Sequence, residues 1–286
     1  SSITSLHAQY DVQVWKWFSM MAAARLDTHL ADRAGSSRVK FNVNPGLSLM
    51  ARMDLTSNVA LEATADWTTQ YYHTLEGIPV GWSADLLVPT SPSVPPEHAR
   101  QYYAGIFTSF GQHHLTLGAY DKAMSNLVYF LDAGQLFSPV IAGWSNNIRV
   151  GSGTSRGVEF LYEKDGERLD WHLAYTLSKT DRLFDKVNNG QRFPAKFDRR
   201  HIINATASYT IIDKGHINLD FITSFTLQSG HWETMQDGYL PVWGVIDQSV
   251  RKAPLISAVN NYQMPTYIRW DNSVRMEIQG SRVSHT

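Results

Sequence analysis

Leu169-Asp170-Trp171-His172-Leu173-Ala174-Tyr175-Thr176-Leu177-Ser178 decides how the rest of the chain is read. Its odd positions are Leu, Trp, Leu, Tyr and Leu; its even positions are Asp, His, Ala, Thr and Ser. A period of two places successive side chains on opposite faces of an extended strand, so this segment has one apolar and one polar face. No 3.6-residue period fits the same window, which excludes an amphipathic helix.

The pattern continues in both directions. Downstream, Ile203, Ala205, Ala207, Tyr209 and Ile211 oppose Ile202, Asn204, Thr206, Ser208 and Thr210; then Ile217, Leu219, Phe221, Thr223, Phe225 and Leu227 oppose Asn218, Asp220, Ile222, Ser224, Thr226 and Gln228. Ile268, Trp270, Val274, Met276 and Ile278 oppose Arg269, Asp271, Ser273, Arg275 and Glu277. Upstream, rows from Phe41 to Leu55 and from Val59 to Trp67 alternate in the same way. Less regular strands lie near Leu6–Val12, Lys16–Leu30, Tyr102–Gly111, Leu115–Leu131 and Arg156–Lys164. Roughly eleven strands of about ten or more residues result, with a twelfth starting at Arg282, whereas globular strands average about five or six.

Connections alternate in length. Thr56-Ser57-Asn58, Gln112-His113, Asp165-Gly166-Glu167 and Asp213-Lys214-Gly215 read as short turns. Gly77–Arg100, Ala133–Ser155, Asp185–Arg200 and Gly230–Pro265 read as long loops. Aromatics cluster at both strand ends: Tyr71, Tyr72, Tyr129, Phe130, Phe184, Trp232 and Tyr267 beside the loops, and Trp15, Trp17, Phe110 and Trp171 beside the turns. Short turns on one rim, long loops on the other and an aromatic girdle at each predict an all-β, antiparallel transmembrane β-barrel, with short periplasmic turns and long extracellular loops.

Composition agrees. The 286 residues carry a net charge of −1 with 18% charged residues. A pI near 6.8 offers no basic stripe for nucleic acid. The absence of cysteine excludes a disulfide scaffold, thiolate zinc and a cysteine nucleophile. A mean hydropathy of −0.27, without an apolar run of about 18 residues, excludes membrane-spanning helices but not spanning strands, half of whose residues face a polar lumen.

At Ser155-Arg156-Gly157-Val158-Glu159-Phe160, Leu173–Thr180, Asn189-Gly190-Gln191-Arg192-Phe193-Pro194 and Asp198-Arg199-Arg200-His201-Ile202-Ile203-Asn204, the chain resembles the barrel of TonB-dependent outer-membrane receptors. Trp67–His73, Leu87–Ser91 and Tyr120–Leu127 look like the Bacteroidetes branch of that family. The resemblance covers most of the chain. It implies a barrel of about 22 strands plugged by an N-terminal domain, in the outer membrane of a Gram-negative bacterium. Only about half of those strands fit, so residues 1–286 are expected to be the C-terminal part of a barrel, without the plug and the final strands. The implied function is active uptake of a large or scarce nutrient: siderophore, vitamin, glycan or peptide. The implied partners are the TonB complex, reached through the plug, outer-membrane lipid and a surface lipoprotein. No cofactor is implied.

Candidate site residues follow from register and loops. Arg25, Arg52, Asp54, Glu62, Asp66, Glu159, Asp170, Asp220, Arg269, Asp271, Arg275 and Glu277 sit in the polar register and are expected to face the lumen. Arg269/Asp271 and Arg275/Glu277 are spaced to form ion pairs along one strand. Trp82, Trp144, Trp232, Tyr239 and Trp243 lie in or beside long loops and are the ligand-binding candidates, since binding groups concentrate on loops held by rigid scaffolds. No metal site is expected: His113 and His114 are adjacent and point to opposite faces of a strand. Nor is an enzyme, because no catalytic constellation stands out in the sequence. Two other classes are open: a passive porin or structural barrel of an envelope complex, and a secreted carbohydrate-binding β protein.

Overall fold

A computed structural model describes residues 2–31, 40–74, 87–91, 94–130, 148–243, 250–279 and 284–285. Strands β1 (Ser2–Trp15), β2 (Phe18–Ala31), β3 (Lys40–Asp54) and β4 (Val59–Gln70) are followed by the short loop strands β5 (Tyr72–Thr74) and β6 (Leu87–Pro89). Strands β7 (Glu97–Phe110), β8 (His113–Phe130), β9 (Ile148–Lys164) and β10 (Leu169–Phe184) come next, then the two-residue β11 (Phe193–Pro194). After β12 (His201–Lys214) and β13 (Ile217–Gln228), a long loop carries β14 (Trp232–Glu233), β15 (Gly238–Trp243), β16 (Val250–Leu255) and β17 (Tyr262–Gln263). The last strands are β18 (Tyr267–Gln279) and a stub, β19 (Ser284–His285).

The long strands form one antiparallel meander in the order β1-β2-β3-β4-β7-β8-β9-β10-β12-β13-β18-β19. Eleven of them have 12 to 18 residues, and the two-residue β19 falls where the twelfth is expected. About ten tilted residues suffice to cross a bilayer core, so each long strand can span and project beyond it. No helix among the described residues is long and apolar enough to cross a membrane.

Register explains why the sheet keeps two distinct faces. Met53, Leu61, Ile106, Leu117, Phe160, Tyr175, Ile203, Leu227 and Ile268 stand opposite one another in succession across nine strands. One residue along, the neighbouring row reads Arg52, Glu62, Gly105, Gly118, Glu159, Thr176, Ile202 and Gln228. A slip of one residue in any strand would exchange the two rows, so the alternation read from sequence also fixes the pairing. The apolar row is solvent-accessible: Ile106 is 43% and Leu117 44% exposed, which in a soluble protein would be an unusual sheet-wide apolar surface.

Four details differ from the sequence reading. β9 begins at Ile148 rather than Arg156, and β7 at Glu97, so the preceding loops are shorter than expected. Gly151, Gly153 and several serines interrupt the apolar alternation there, while the backbone pairing continues. A tight turn at Lys16-Trp17 separates β1 from β2. Tyr71, Tyr129, Phe130 and Phe184 do not join a girdle; they are 1–8% exposed and packed inside. Tyr267, opposite Gln228, lies on the polar face. The tightly buried clusters are at the long-loop end: Val88, Val94, Val128, Phe130 and Ile148 form one, and Met124, Leu127, Tyr129, Phe184, Val187 and Phe193 another.

Candidate functional site

The polar face is a wall of paired charges and hydroxyls. Arg25 donates through Nε to Asp27 at 2.6 Å and through Nη2 to Ser5 Oγ at 3.0 Å. Arg52 meets Asp54 at 3.1 Å on its own strand and Glu62 at 3.7 Å on the next. Asp66 accepts from Ser48 Oγ at 2.5 Å and Thr64 Oγ1 at 3.3 Å. The expected Arg269–Asp271 pair forms at 2.6 Å. Arg275 departs from expectation: it pairs with Asp220 across the β13/β18 ladder at 3.1 Å, where Thr210 Oγ1 also donates to that carboxylate at 2.8 Å. The cross-strand position offers a carboxylate already held in place and 7% exposed, which the same-strand Glu277 does not. Asp170 serves the short turn instead of the wall, accepting from the Gly166 backbone N–H at 2.8 Å.

The recurring Arg-x-Asp spacing has a physical origin. Residues i and i+2 share a face, about 7 Å apart, and the arginine side chain bridges that gap easily. Each pair leaves one polar group for water or another surface, because these arginines stay 39–63% exposed.

Above the wall, the loops that follow β10 and β13 are joined to each other. Asn188 donates through Nδ2 to Val259 O at 3.0 Å and accepts the Val259 N–H at 2.7 Å. Asn260 donates to Pro194 O at 2.8 Å, and the Trp232 N–H to Lys196 O at 2.9 Å. Lys196 and Glu233 pair at 3.3 Å. Asn188, Asn189 and Asn260 all have positive φ, a conformation that asparagine tolerates better than most residues. Beneath this joint Asp198 accepts the Thr180 backbone N–H at 2.7 Å, and burial pushes its carboxyl pKa up. At the far end of the loop, hydrogen bonds from Ser257 hold the Asp237 carboxyl below its ordinary value.

The loop aromatics are not gathered into one site. Trp232 is tied into the joint just described, on β14 paired with β17. Tyr239 stands on the β15/β16 hairpin, 58% exposed, and accepts from Gln236 Nε2 at 2.9 Å. Trp243 ends β15, but its side chain, like Trp82 and Trp144, lies outside the described residues.

Sequence reading missed a buried polar knot at the β2/β4 rim. His29 is 0% exposed and stacked on Tyr71 with ring centroids 5.0 Å apart; neither of its ring nitrogens has a hydrogen-bond partner among the described residues. His73, in the adjoining loop strand, is 2% exposed and touches Thr90 Oγ1 at 3.4 Å; burial lowers its pKa. Nothing in the alternation marks these histidines, because loop segments rather than strand neighbours bury them. No group of three or more His, Asp or Glu among the described residues is arranged to hold a metal.

A family model described as TonB dependent receptor-like, beta-barrel matches residues 1–282. No curated protein matches the sequence. Among solved structures, the ferric preacinetobactin receptor BauA of Acinetobacter baumannii superposes with a TM-score of 0.66 at 12% identity, covering 97% of this chain and 36% of its own. The ferripyoverdine receptor of the Pseudomonas aeruginosa outer membrane gives 0.62 at 13% identity, with 97% and 32% covered. The ferric yersiniabactin uptake receptor FyuA of Yersinia pestis gives 0.62 at 12% identity, with 97% and 38% covered. The chain thus spans about a third of the length of these receptors, and at such identities the likeness is one of fold.

Proposed function

This chain belongs to the TonB-dependent receptor β-barrel family, and on that footing we propose that the protein carrying it is an energised uptake receptor for a large or scarce nutrient. The family consists of transport receptors of the Gram-negative outer membrane, not enzymes. The observation that carries the proposal is the two-faced sheet: an apolar row in register across nine strands, none of its residues buried, backed by a wall of paired charges. Apolar side chains suit lipid. Charges on the opposite face suit a wet lumen that a plug fills at rest and vacates when TonB pulls it. The wall residues Arg25, Arg52, Asp66, Asp220, Arg269, Asp271 and Arg275 then hydrogen-bond the plug or line the opened path. Tyr239 and Trp243, with Trp82, Trp144 and Trp232, are the first ligand contacts on the loops; a surface lipoprotein is a further partner on that side.

Ferric chelates are the first ligands to try, since the receptors named above are siderophore receptors. The test uses the full-length protein in its own membrane. Accumulation of labelled ferric chelates, cobalamin and oligosaccharides is compared in the parent, a deletion strain and a strain lacking TonB. We expect one ligand class to lose uptake in both mutants. Uptake that needs the protein but not TonB would make it a passive barrel, and a protein that stays monodisperse without detergent would make it a secreted binder.

A further inference from the structure

The apolar face changes character near the long-loop rim, and the change is confined to a few strands. Rising along that face of β7, the side chains are Phe110, Thr108, Ile106, Ala104, Tyr102, Arg100 and His98. Tyr102 and Trp67 meet edge to face with ring centroids 5.9 Å apart, as a belt of interfacial aromatics would. From Phe110 to Tyr102 is eight residues of tilted strand, about the height of the apolar band of such barrels. Arg100 stands directly above, opposite Trp67 on one side and Ala123 on the other. His98 follows, opposite Thr69 and Ser125.

Trp67, Thr69, His98, Arg100, Ala123 and Ser125 line a groove of about 590 Å³, which Asn44 and Pro45 of β3 also border. Trp67 forms one wall, the small side chains of Ala123 and Ser125 its far side, and Thr69, His98 and Arg100 its polar part. Thr69 Oγ1 and His98 Nδ1 are 3.0 Å apart. Arg100 is exposed, and its guanidinium has no ion pair or side-chain hydrogen bond with any other described residue. Its neighbours on the same face behave differently. Arg156 pairs with Asp121, and Lys179 with Asp181 at 3.2 Å. Those two cations, which stand directly opposite each other on β9 and β10, each bring their own carboxylate. Arg100 brings none.

A cation without a counter-ion, on the lipid-facing side at headgroup height and beside an indole, calls for an anion supplied by the membrane. We propose that this groove binds a phosphorylated glycolipid of the outer leaflet, its phosphate on Arg100 and its sugar against Trp67. Guanidinium offers planar, paired donors to phosphate oxygens, and Thr69 and Ser125 add hydroxyl donors at the groove's upper end. The indole face provides a flat apolar platform for a sugar ring, and the acyl chains continue down over Tyr102, Ala104 and Ile106. The site serves anchoring at fixed height in the membrane and is independent of what crosses the lumen, so its failure would leave the uptake reading untouched.

The test measures lipid retained by the full-length receptor after detergent extraction and washing, as phosphate and glycolipid per protein by mass spectrometry. Arg100→Ala should retain about tenfold less, the loss expected for a charge-assisted phosphate contact, while Arg100→Lys should keep most of it. Arg156→Ala, whose cation already has a carboxylate, should change retention little. A second measurement needs no variant: native receptor is offered the same glycolipid with and without its phosphates. Preference for the phosphorylated form supports the site. Equal retention by Arg100→Ala, or equal binding of the dephosphorylated lipid, overturns it.

Discussion

At the scale of single residues, what matters is which neighbours can give way. Asp220 is 7% exposed on its side chain and receives both Arg275 and Thr210. Removing Arg275 leaves a mostly buried carboxylate with one donor fewer, although the arginine itself is 54% exposed and therefore partly screened. Arg275→Ala should cost about 1–2 kcal/mol in urea unfolding of the full-length receptor in detergent micelles. An unchanged midpoint would show that water replaces the arginine without loss. Glycines divide by the same criterion. A Cβ on Gly105 would meet the Tyr103 hydroxyl at 2.5 Å, the far end of a side chain that can rotate away. A Cβ on Gly151 would meet the Leu183 carbonyl and the Phe184 ring, both at 2.3 Å, and Phe184 is 1% exposed inside the loop core. Gly151→Ala should therefore destabilise by about 1–3 kcal/mol and Gly105→Ala by clearly less; the reverse ranking in the same unfolding assay would refute the distinction.

At the scale of elements, the loops should respond to pH in opposite senses. Burial raises the pKa of Asp198 above the ordinary 3.8, so the folded loop prefers its neutral form. Its contribution to holding that loop is full below the unfolded value and is lost as pH rises through the folded one. Burial lowers the pKa of His73 below 6.5, so the β5/β6 hairpin also prefers a neutral group, but there stability is present above the unfolded value and lost as pH falls. Hydrogen exchange, corrected for intrinsic rates, should show the backbone around Thr180 and Asp198 opening more readily at neutral pH than in the acidic range, with Asp198→Asn abolishing the trend. The Tyr72–Thr74 strand should open more readily as pH drops below 6.5, and not in His73→Phe. A common direction for both loops would contradict these assignments. Such loop behaviour was not legible in the sequence, whereas the spanning strands were. Period-two alternation is written by the contrast between lipid and water along each strand, so Leu169–Ser178 declares its faces unaided. The upper half of β9 gave no such contrast, because Gly151 and Gly153 carry no side chains and leave room for Phe184 and Arg182 instead. His29 and His73 were unreadable for another reason: segments distant in sequence bury them. Arg275 pairs with Asp220 rather than with the same-strand Glu277, a choice that register with β13 decides and that β18 alone does not reveal.

At the scale of the whole molecule, the two faces of the sheet have different solvents, and a charge moved from one to the other measures this directly. Leu117 and Thr116 are adjacent on β8, midway between the Phe110 and Tyr102 levels of its neighbour β7. Leu117 lies in the apolar row between Ile106 and Phe160; Thr116 lies on the polar face between Phe107 and Leu161. In a soluble sheet open to water on both sides, an arginine at either position would cost little, because both sites are at the surface. In a bilayer, arginine near the midplane of the lipid face costs about 2–4 kcal/mol, whereas the lumen side tolerates charge. Arginine at Thr116 also joins a face that already holds Arg52 near the Phe107 ring, with 5.9 Å from guanidinium to centroid. Folding of the full-length receptor into lipid vesicles, followed by denaturant titration, should therefore show Leu117→Arg strongly destabilised and Thr116→Arg close to native. Equal effects would mean that both faces meet the same solvent, and the barrel reading would fall with the transport reading built on it.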